Sequence, residues 1–181
     1  LDFYVQNGGN IIDTANVYAD WVPGERGRSE KLIGRWLKNR GNREKYIIST
    51  KGGHPNLDTM SVSRLSHSEL TSDLDESLRR LGTDYVDIYW LHRDDELLEV
   101  SDIMDTLDGF VKSGKVRYIG MSNWTCQRIE EAQKYAENNS KTMLAASQIQ
   151  YSAAHPNIES NDPTLVLMND DEYNYFKNHD M

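Results

Sequence analysis

Cysteine is almost absent from this sequence: Cys126 is the single thiol, so no disulfide can form within the chain. A lone cysteine is typical of proteins in reducing compartments and predicts a cytoplasmic location. Long apolar runs are lacking too, since no stretch approaches the ~20 apolar residues of a membrane-spanning helix. The first residues contain neither the basic nor the apolar segment of a signal peptide. We therefore expect neither membrane insertion nor a signal peptide.

Clusters of basic residues are also scarce. The net charge is −9, with 29 acidic against 20 basic side chains, and the longest run of Lys and Arg is the pair Arg79–Arg80. Proteins that bind phosphate backbones need clustered Lys and Arg. Nucleic acid is therefore not an expected partner.

The length of 181 residues is within the usual range for one domain, and we expect residues 1–181 to form a single domain. A closed (β/α)₈ barrel typically needs ~250 residues. The mean hydropathy of −0.72 is low for a sheet covered on both sides. These values predict a thin core, or a core completed by further segments.

Short apolar runs alternate with longer amphipathic ones along the whole chain. The short runs are rich in β-branched residues and nearly continuously apolar, which is typical of parallel strands buried on both faces. Their starts are ~30–40 residues apart, enough for a loop and a crossover helix in each interval. The predicted strands are Asn10–Asp13, Tyr46–Thr50, Val86–Leu91, Val116–Met121 and Leu144–Ile149.

The longer runs predict helices. The clearest opens at Ser66, with Glu69 in capping-box spacing, and closes on Gly82. Its apolar stripe is Leu70, Leu74, Leu78 and Leu81. Ser29 likewise precedes a helical pattern that stops at Gly41. Further helices are predicted at Asp102–Ser113, Thr125–Asn138 and Asp170–His179.

Five strands alternating with helices predict an α/β fold, either a doubly wound sheet or part of a barrel. Dinucleotide binding on a doubly wound sheet usually shows G-x-G-x-x-G after a strand. The nearest candidates, Gly8–Gly9 and Gly52–Gly53, do not have that spacing. The pattern therefore favours an incomplete (β/α)₈ TIM barrel with about five parallel strand–helix units.

Polar side chains occur where each predicted strand ends, at Asp13, Lys51, His92, Ser122 with Asn123, and Gln148. Taken singly, each has an ordinary explanation as a cap, an edge residue or a structural histidine; Asn123, for example, could cap the helix that begins near Thr125. Chemistry in parallel α/β folds collects at the carboxyl ends of the strands. The five coincidences together predict a site at that rim.

The residue types at this rim suit proton transfer. A tyrosine hydroxyl has a reference pKa of ~10, too high for ready proton exchange at neutral pH, and a nearby ammonium favours the phenolate. Tyr18 lies in the loop beyond Asp13, five residues further along the chain. An Asp–Lys–Tyr set would form a tuned proton donor, and His92 could orient or polarise a carbonyl oxygen beside it.

These segments resemble the aldo-keto reductase family. GGNIIDTANVY is similar to its signature around a catalytic Asp and Tyr, and IISTK to the strand that carries a catalytic Lys. LRRLGTDYVDIYWLH resembles the segment that ends in a catalytic His, and GKVRYIGMSNW and SQIQYS resemble the nicotinamide-contacting strands. The motifs occur in the family's order, and the resemblance covers essentially the whole chain.

The resemblance implies NADPH-dependent reduction of an aldehyde or ketone. Tyr18 would be the general acid, Lys51 and Asp13 would tune it, and His92 would orient the substrate. Further implied roles fall on Ser122, Asn123 and Gln148 as holders of the nicotinamide carboxamide, and on Trp21 and Trp124 as walls of the substrate pocket.

The resemblance also implies that the family's first strand and last two strand–helix units are missing from this sequence. Open sheet edges would then predict self-association. An alternative function follows: an inactive truncated or regulatory relative that cannot hold the cofactor alone. A metal-dependent hydrolase fits less well, because H-x-H and H-E-x-x-H spacings are absent. Its candidate ligands would be His54, His67, His92, Asp94 and Asp95.

Overall fold

The computed structural model describes residues 1–153, 162, 164–179 and 181. In chain order the elements are α1 (Asp2–Gln6), β1 (Ile11–Asp13), α2 (Arg28–Arg40), a 3₁₀ turn (Arg43–Lys45), β2 (Ile47–Gly52), α3 (His67–Leu81), β3 (Val86–Leu91), α4 (Val100–Lys112), β4 (Val116–Ser122), α5 (Cys126–Asn138), β5 (Ala146–Gln148) and α6 (Asp170–Asn178). None of the described helices is long and apolar enough to cross a membrane.

The five strands form one parallel sheet in the order β1-β2-β3-β4-β5. A doubly wound sheet reverses its strand order at a switch point, and this sheet does not, so the doubly wound alternative is wrong. Right-handed crossovers between successive neighbours place every connecting helix on the same side. The sheet therefore curls into a half-barrel, which confirms the predicted incomplete barrel.

The main core lies between this sheet and its helices. On the helix side, Thr50 of β2 donates to Glu30 of α2 at 2.7 Å, and Tyr89 of β3 packs edge-on against Phe110 of α4. The predicted stripe of α3 is buried here at Leu70, Leu74, Leu78 and Leu81. Each such leucine contributes about 1.5–3 kcal/mol of burial free energy.

Helix α3 has the ends that the sequence predicts. Ser66 and Glu69 form both bonds of a capping box, and Gly82 closes the helix in the left-handed conformation at φ 66°. Gly41 likewise ends α2, but the predicted cap at Ser29 is wrong. The residue before α2 is Gly27, and the Ser29 hydroxyl lies 2.7 Å from the Thr14 hydroxyl beyond β1. The Ser29 side chain therefore makes a tertiary contact with Thr14, and not the helix cap that the local sequence pattern predicts.

Strand bounds shift by a few residues from those predicted. Strand β2 extends past Lys51 because Gly52 still pairs with Leu91 of β3. Strand β5 shrinks to three residues because it pairs only with Gly120–Ser122 of β4. Helix α4 begins two residues before the predicted start, at Val100.

The inner face of the half-barrel, opposite the helices, is polar at one end and open at the other. Strand alternation places Ser49 and Lys51 on this face together with Trp90, whose indole reaches the Ser49 hydroxyl. Towards the amino ends of the strands the same face exposes apolar rings and chains, with Ile11 51% and Tyr118 59% accessible. On this face, side chains are therefore hydrogen-bonded to one another at the carboxyl end of the strands, whereas apolar side chains are exposed at the amino end.

Candidate active site

An ion pair joins the ends of β1 and β2 on the inner face. The parallel register pairs Asp13 with Ser49, so Lys51, two residues further along, emerges on the same face. Lys51 Nζ donates to Asp13 Oδ2 at 2.5 Å and to the Thr14 carbonyl at 2.9 Å. Lys51 is only 1% accessible, and a buried ammonium is stable only when paired and hydrogen-bonded. Both conditions are met here.

A second layer of hydrogen bonds fixes the carboxylate. Ser49 Oγ donates to Asp13 Oδ1 at 2.6 Å and accepts from Trp90 Nε1 at 2.6 Å. The Trp90 ring lies over Gly120 of β4, where an added Cβ would come within 2.4 Å of the ring carbons. Only a glycine at that position lets the indole reach Ser49.

Tyr18 stands over this ion pair from the loop after β1. The Lys51 ammonium lies 4.8 Å from the centroid of the Tyr18 ring. The His92 ring lies on the other side, with centroids 5.8 Å apart in an edge-on arrangement. The structure therefore brings Asp13, Tyr18, Lys51 and His92 together at one rim, as the spacing of their motifs predicts.

His92 follows β3 and is buried at the rim. Its backbone N–H donates to the Gly52 carbonyl at 2.9 Å, which continues the pairing with β2. Its Nδ1 is buried and has no hydrogen-bond partner among the described residues. The pKa of His92 is lowered to about 2. Burial is the largest cause, followed by the charges of His54, Arg93 and Lys51. The imidazole is therefore neutral at any physiological pH.

The polar residues at the ends of β4 and β5 form hydrogen bonds within the protein itself. Ser122 Oγ donates to the Gln148 carbonyl at 2.8 Å. Asn123 Nδ2 donates to the His92 carbonyl and to Ser122 Oγ, both at 3.2 Å, while its Oδ1 accepts from the Val166 N–H. Thr125 Oγ1, not Asn123, caps α5, so the helix-cap explanation of Asn123 is wrong. Asn123 instead adopts a left-handed backbone at φ 59°.

The two candidate pocket tryptophans occupy different environments. Trp21 is 62% accessible, and its ring meets Tyr18 edge-on at 6.1 Å. Trp124 is fully buried; its indole donates to the Arg93 carbonyl, and the Arg128 guanidinium lies 5.2 Å from its ring centroid. Trp21 thus lies beside the site, whereas Trp124 supports the loop that follows His92.

Sequence reasoning missed several contributors to the site. Ser49, Thr14 and Trp90 hold the Asp13–Lys51 pair, and His54 touches His92 with ring centroids 4.7 Å apart. The two-residue alternation of β2 was the available signal for Ser49, because it shares a face with Lys51. The other three depend on neighbouring strands and loops.

Among the residues that the structure describes, no three His, Cys, Asp or Glu side chains lie close enough together to hold a metal ion. The hydrolase hypothesis placed ligands at His67 and His92. His67 instead lies at the start of α3, with its Nδ1 3.1 Å from the Thr106 hydroxyl of α4. That hypothesis therefore has no ligand set in the described part of the chain.

Known proteins are similar to this chain in both sequence and fold. The sequence model of the Aldo/keto reductase family matches residues 1–167. The aldo-keto reductase ausK of Aspergillus calidoustus is 35% identical over 155 residues, covering 82% of this chain and 38% of that protein. An aryl-alcohol dehydrogenase [NADP(+)] of Phanerodontia chrysosporium is 33% identical over 151 residues, covering 78% of this chain and 38% of that protein.

Norsolorinic acid reductase B of Aspergillus parasiticus is 30% identical over 165 residues, covering 88% of this chain and 42% of that protein. A crystal structure of a thermostable aldo-keto reductase with the inhibitor epalrestat superposes with a TM-score of 0.68 at 28% identity. The match covers 82% of this chain and 47% of that one. This chain therefore spans about two fifths of the length of the curated relatives it matches.

Proposed function

Because the chain belongs to the aldo/keto reductase family, we propose that it reduces an aldehyde or ketone to an alcohol with NADPH, Tyr18 serving as general acid. The observation that carries this proposal is the assembled set of Tyr18, Lys51, Asp13 and His92 at one rim. We also propose that residues 1–181 act as a single partial-barrel domain.

In this proposal the Tyr18 hydroxyl gives its proton to the carbonyl oxygen as the carbon accepts hydride. The Lys51 ammonium, held by Asp13, stabilises the phenolate that remains. The neutral His92 ring donates a hydrogen bond that orients the carbonyl oxygen beside Tyr18. Solvent returns the proton to Tyr18 after the alcohol leaves.

We propose that the polar residues at the ends of β4 and β5 hold the nicotinamide end of NADPH. A carboxamide has one acceptor and two donor positions, and Ser122, Asn123 and Gln148 supply complementary hydroxyl and amide groups. Asn123 Nδ2 lies 3.2 Å from Ser122 Oγ and 3.2 Å from the His92 carbonyl oxygen, so these polar groups are already close together. The chemistry that NADPH supplies when bound is a hydride for the carbonyl carbon. The relative described as [NADP(+)]-dependent supports this choice of cofactor.

We propose an aromatic carbonyl as the substrate to test first. Trp21 meets Tyr18 edge-on, and Tyr18 meets His92 in the same way, so three rings line one side of the site. Aromatic rings favour such edge-on contacts with a further ring. The similarity to an aryl-alcohol dehydrogenase supports the same class. Trp124 lies under the adjoining loop and would shape this pocket from below.

The alternative function is an inactive or regulatory relative that cannot hold the cofactor alone. The amide of Asn123 and the hydroxyl of Ser122 bond within the chain, which favours this alternative.

Titration of the chain with NADPH, read by fluorescence of its four tryptophans, distinguishes the two functions. The enzyme proposal expects saturable binding at micromolar NADPH, and oxidation of NADPH when 4-nitrobenzaldehyde is added. Tyr18→Phe should bind NADPH equally well and lose about 10²–10⁴-fold in turnover. Tyr173→Phe, on the exposed face of α6, is the matched control. Folded protein that binds no NADPH would establish the alternative.

We further propose that two copies associate through the open edges of the sheet. Strands β1 and β5 each have one neighbour in the described sheet, and the inner face exposes Ile11 and Tyr118. Unpaired edges and exposed apolar groups both favour strand addition. Light scattering should give a mass near twice 20.8 kDa. A stable, monodisperse monomer would reject this proposal.

A further inference from the structure

His54 contacts the candidate site through His92, and the backbone around it is held by hydrogen bonds. It follows β2 through Gly53, whose positive φ of 71° and close contact with Leu65 exclude a larger residue. The buried carboxylate of Asp73 accepts from the Gly53 N–H at 2.9 Å and pairs with Arg64, which in turn donates to the His54 carbonyl at 3.1 Å. The backbone on both sides of His54 is therefore fixed by a buried ion pair.

The His54 ring has one orientation and one tautomer. Its Nδ1 lies 2.7 Å from the Pro55 carbonyl oxygen. A carbonyl only accepts, so Nδ1 carries the proton and Nε2 is left with a lone pair in the neutral ring. In this orientation the ring meets His92 edge-on, with centroids 4.7 Å apart and planes inclined by 63°.

His54 lines a polar cavity, and His92 does not. The cavity has a volume of about 250 Å³, and Asn16, Arg64 and Arg80 also line it. His54 therefore separates His92 from a space large enough for several water molecules. Removing its ring would connect that space to the buried His92.

The neutral state of His92 depends on this separation. An N–H without an acceptor is costlier to bury than an acceptor without a donor, so the unpartnered Nδ1 of His92 favours a lone pair there and the proton on Nε2. The charged or titratable groups around the two rings are Lys51 of β2, Tyr18 of the β1 loop, Arg93 of the β3 loop, Arg64 and Asp162. Burial is the largest cause that lowers the pKa of both histidines.

We propose that His54 is a positioning residue, which holds the His92 ring in one orientation and keeps it neutral with its proton on Nε2. This places on His92 a permanent hydrogen-bond donor for a carbonyl oxygen. The inference rests on the proposed function for its catalytic meaning, but the state of the His92 ring is measurable without turnover.

Long-range ¹H–¹⁵N spectra of the imidazole nitrogens, recorded from pH 4 to 8 on the whole chain, test this role. In the unaltered protein His92 should show the Nε2-protonated tautomer without titrating. In His54→Ala, water from the cavity should reach His92, which should then titrate within this range or populate both tautomers. His54→Phe keeps the ring contact and should preserve the original spectrum. His179→Ala, at the exposed end of α6, is the control.

An unchanged His92 spectrum in folded His54→Ala would overturn the proposal, and so would identical spectra for His54→Ala and His54→Phe. If the chain also reduces an aromatic aldehyde, His54→Ala should lower kcat about 10-fold while the KM for NADPH stays constant. If the chain has no turnover at all, the reductase proposal fails, while the spectra still decide what His54 does.

Discussion

The two halves of the rim use their polar side chains differently. At the ends of β1 and β2, side chain bonds to side chain, because Lys51 and Ser49 both hold the carboxylate of Asp13. At the ends of β4 and β5, side chains bond mainly to backbone: Ser122 donates to the Gln148 carbonyl, and Asn123 bonds to the His92 carbonyl and the Val166 N–H. The first half is the set to which we assign proton transfer. The second half holds strand ends in place with the groups that we assign to the cofactor.

The replacement of Lys51 should have the largest effect on the first half of the rim. Lys51→Met leaves the Asp13 carboxylate without its ion partner and the Thr14 carbonyl without its donor. NADPH-dependent reduction should fall about 10²–10⁴-fold, and the free energy of unfolding should fall by about 2–3 kcal/mol. Urea unfolding and NADPH oxidation measure the two effects. Lys45→Met, on the exposed 3₁₀ turn, should change neither.

Replacing Asn123 tests whether the second half is structural. Asn123→Ala loses the three hydrogen bonds of the side-chain amide and strains a backbone at φ 59°, so the free energy of unfolding should fall by about 2–3 kcal/mol. Asn123→Gly tolerates that backbone and should recover about 1 kcal/mol of the loss. Urea unfolding of the two variants separates conformation from hydrogen bonding. Equal stability of Asn123→Ala and the unaltered chain would show that the hydrogen bonds of the Asn123 side chain contribute nothing to the free energy of unfolding.

A third test lies between the halves, in the loop after β3. Burial is the largest cause that raises the pKa of Asp94 to about 6, although Arg128 lies 3.3 Å away. The raised value means that folding favours the protonated form. Asp94 therefore contributes stability that is complete below about pH 4 and is lost as the pH rises through 6.

Asp94→Asn should remove this loss. At pH 7.5 the variant should be more stable than the unaltered chain by about 2–3 kcal/mol, because each unit by which the pKa of Asp94 is raised corresponds to about 1.4 kcal/mol. At pH 4 the two proteins should unfold at nearly the same urea concentration. A variant that is less stable at pH 7.5 would show that the ion pair outweighs the cost of burial.

The smallest expected effect is at Trp21, which faces solvent beside the proton-transfer set. Trp21→Ala should leave the free energy of unfolding within about 0.5 kcal/mol. It should raise the KM for an aromatic aldehyde about 5-fold, the size of one lost ring contact. Leu97→Ala, at a residue 94% accessible, is the control for a neutral surface change. An unchanged KM would remove Trp21 from the substrate pocket.

The sequence predicted the elements of the fold better than their ends. All five strands follow from short apolar runs, and β3 has the predicted bounds because it is buried between two neighbours. Strand β5 is shorter than its apolar run, since only three of its residues find partners. The prediction of a cap at Ser29 was wrong for the same reason, because the Ser29 hydroxyl contacts Thr14, which is distant in sequence.

The site was predictable as a set of residues at one rim and not as a set of contacts. The register of β1 and β2 is what brings Lys51 to Asp13, and register depends on the packing of the sheet. The contact of His54 with His92 was not predictable, because His54 lies beyond the strand, after Gly53, and its importance arises from the ring that it touches. The left-handed backbone of Asn123 was a recognisable preference of asparagine.

The glycine of β4 has a consequence for how such a chain can change. Gly120, Trp90, Ser49 and Asp13 form a line across four strands, and each member fits only against the next. A methyl group at position 120 would displace the indole and so release the serine that steadies the carboxylate. Libraries that vary position 120 alone should lose function; those that also offer a smaller ring at position 90 should regain it. The residue that is acceptable at position 120 therefore depends on the residue at position 90.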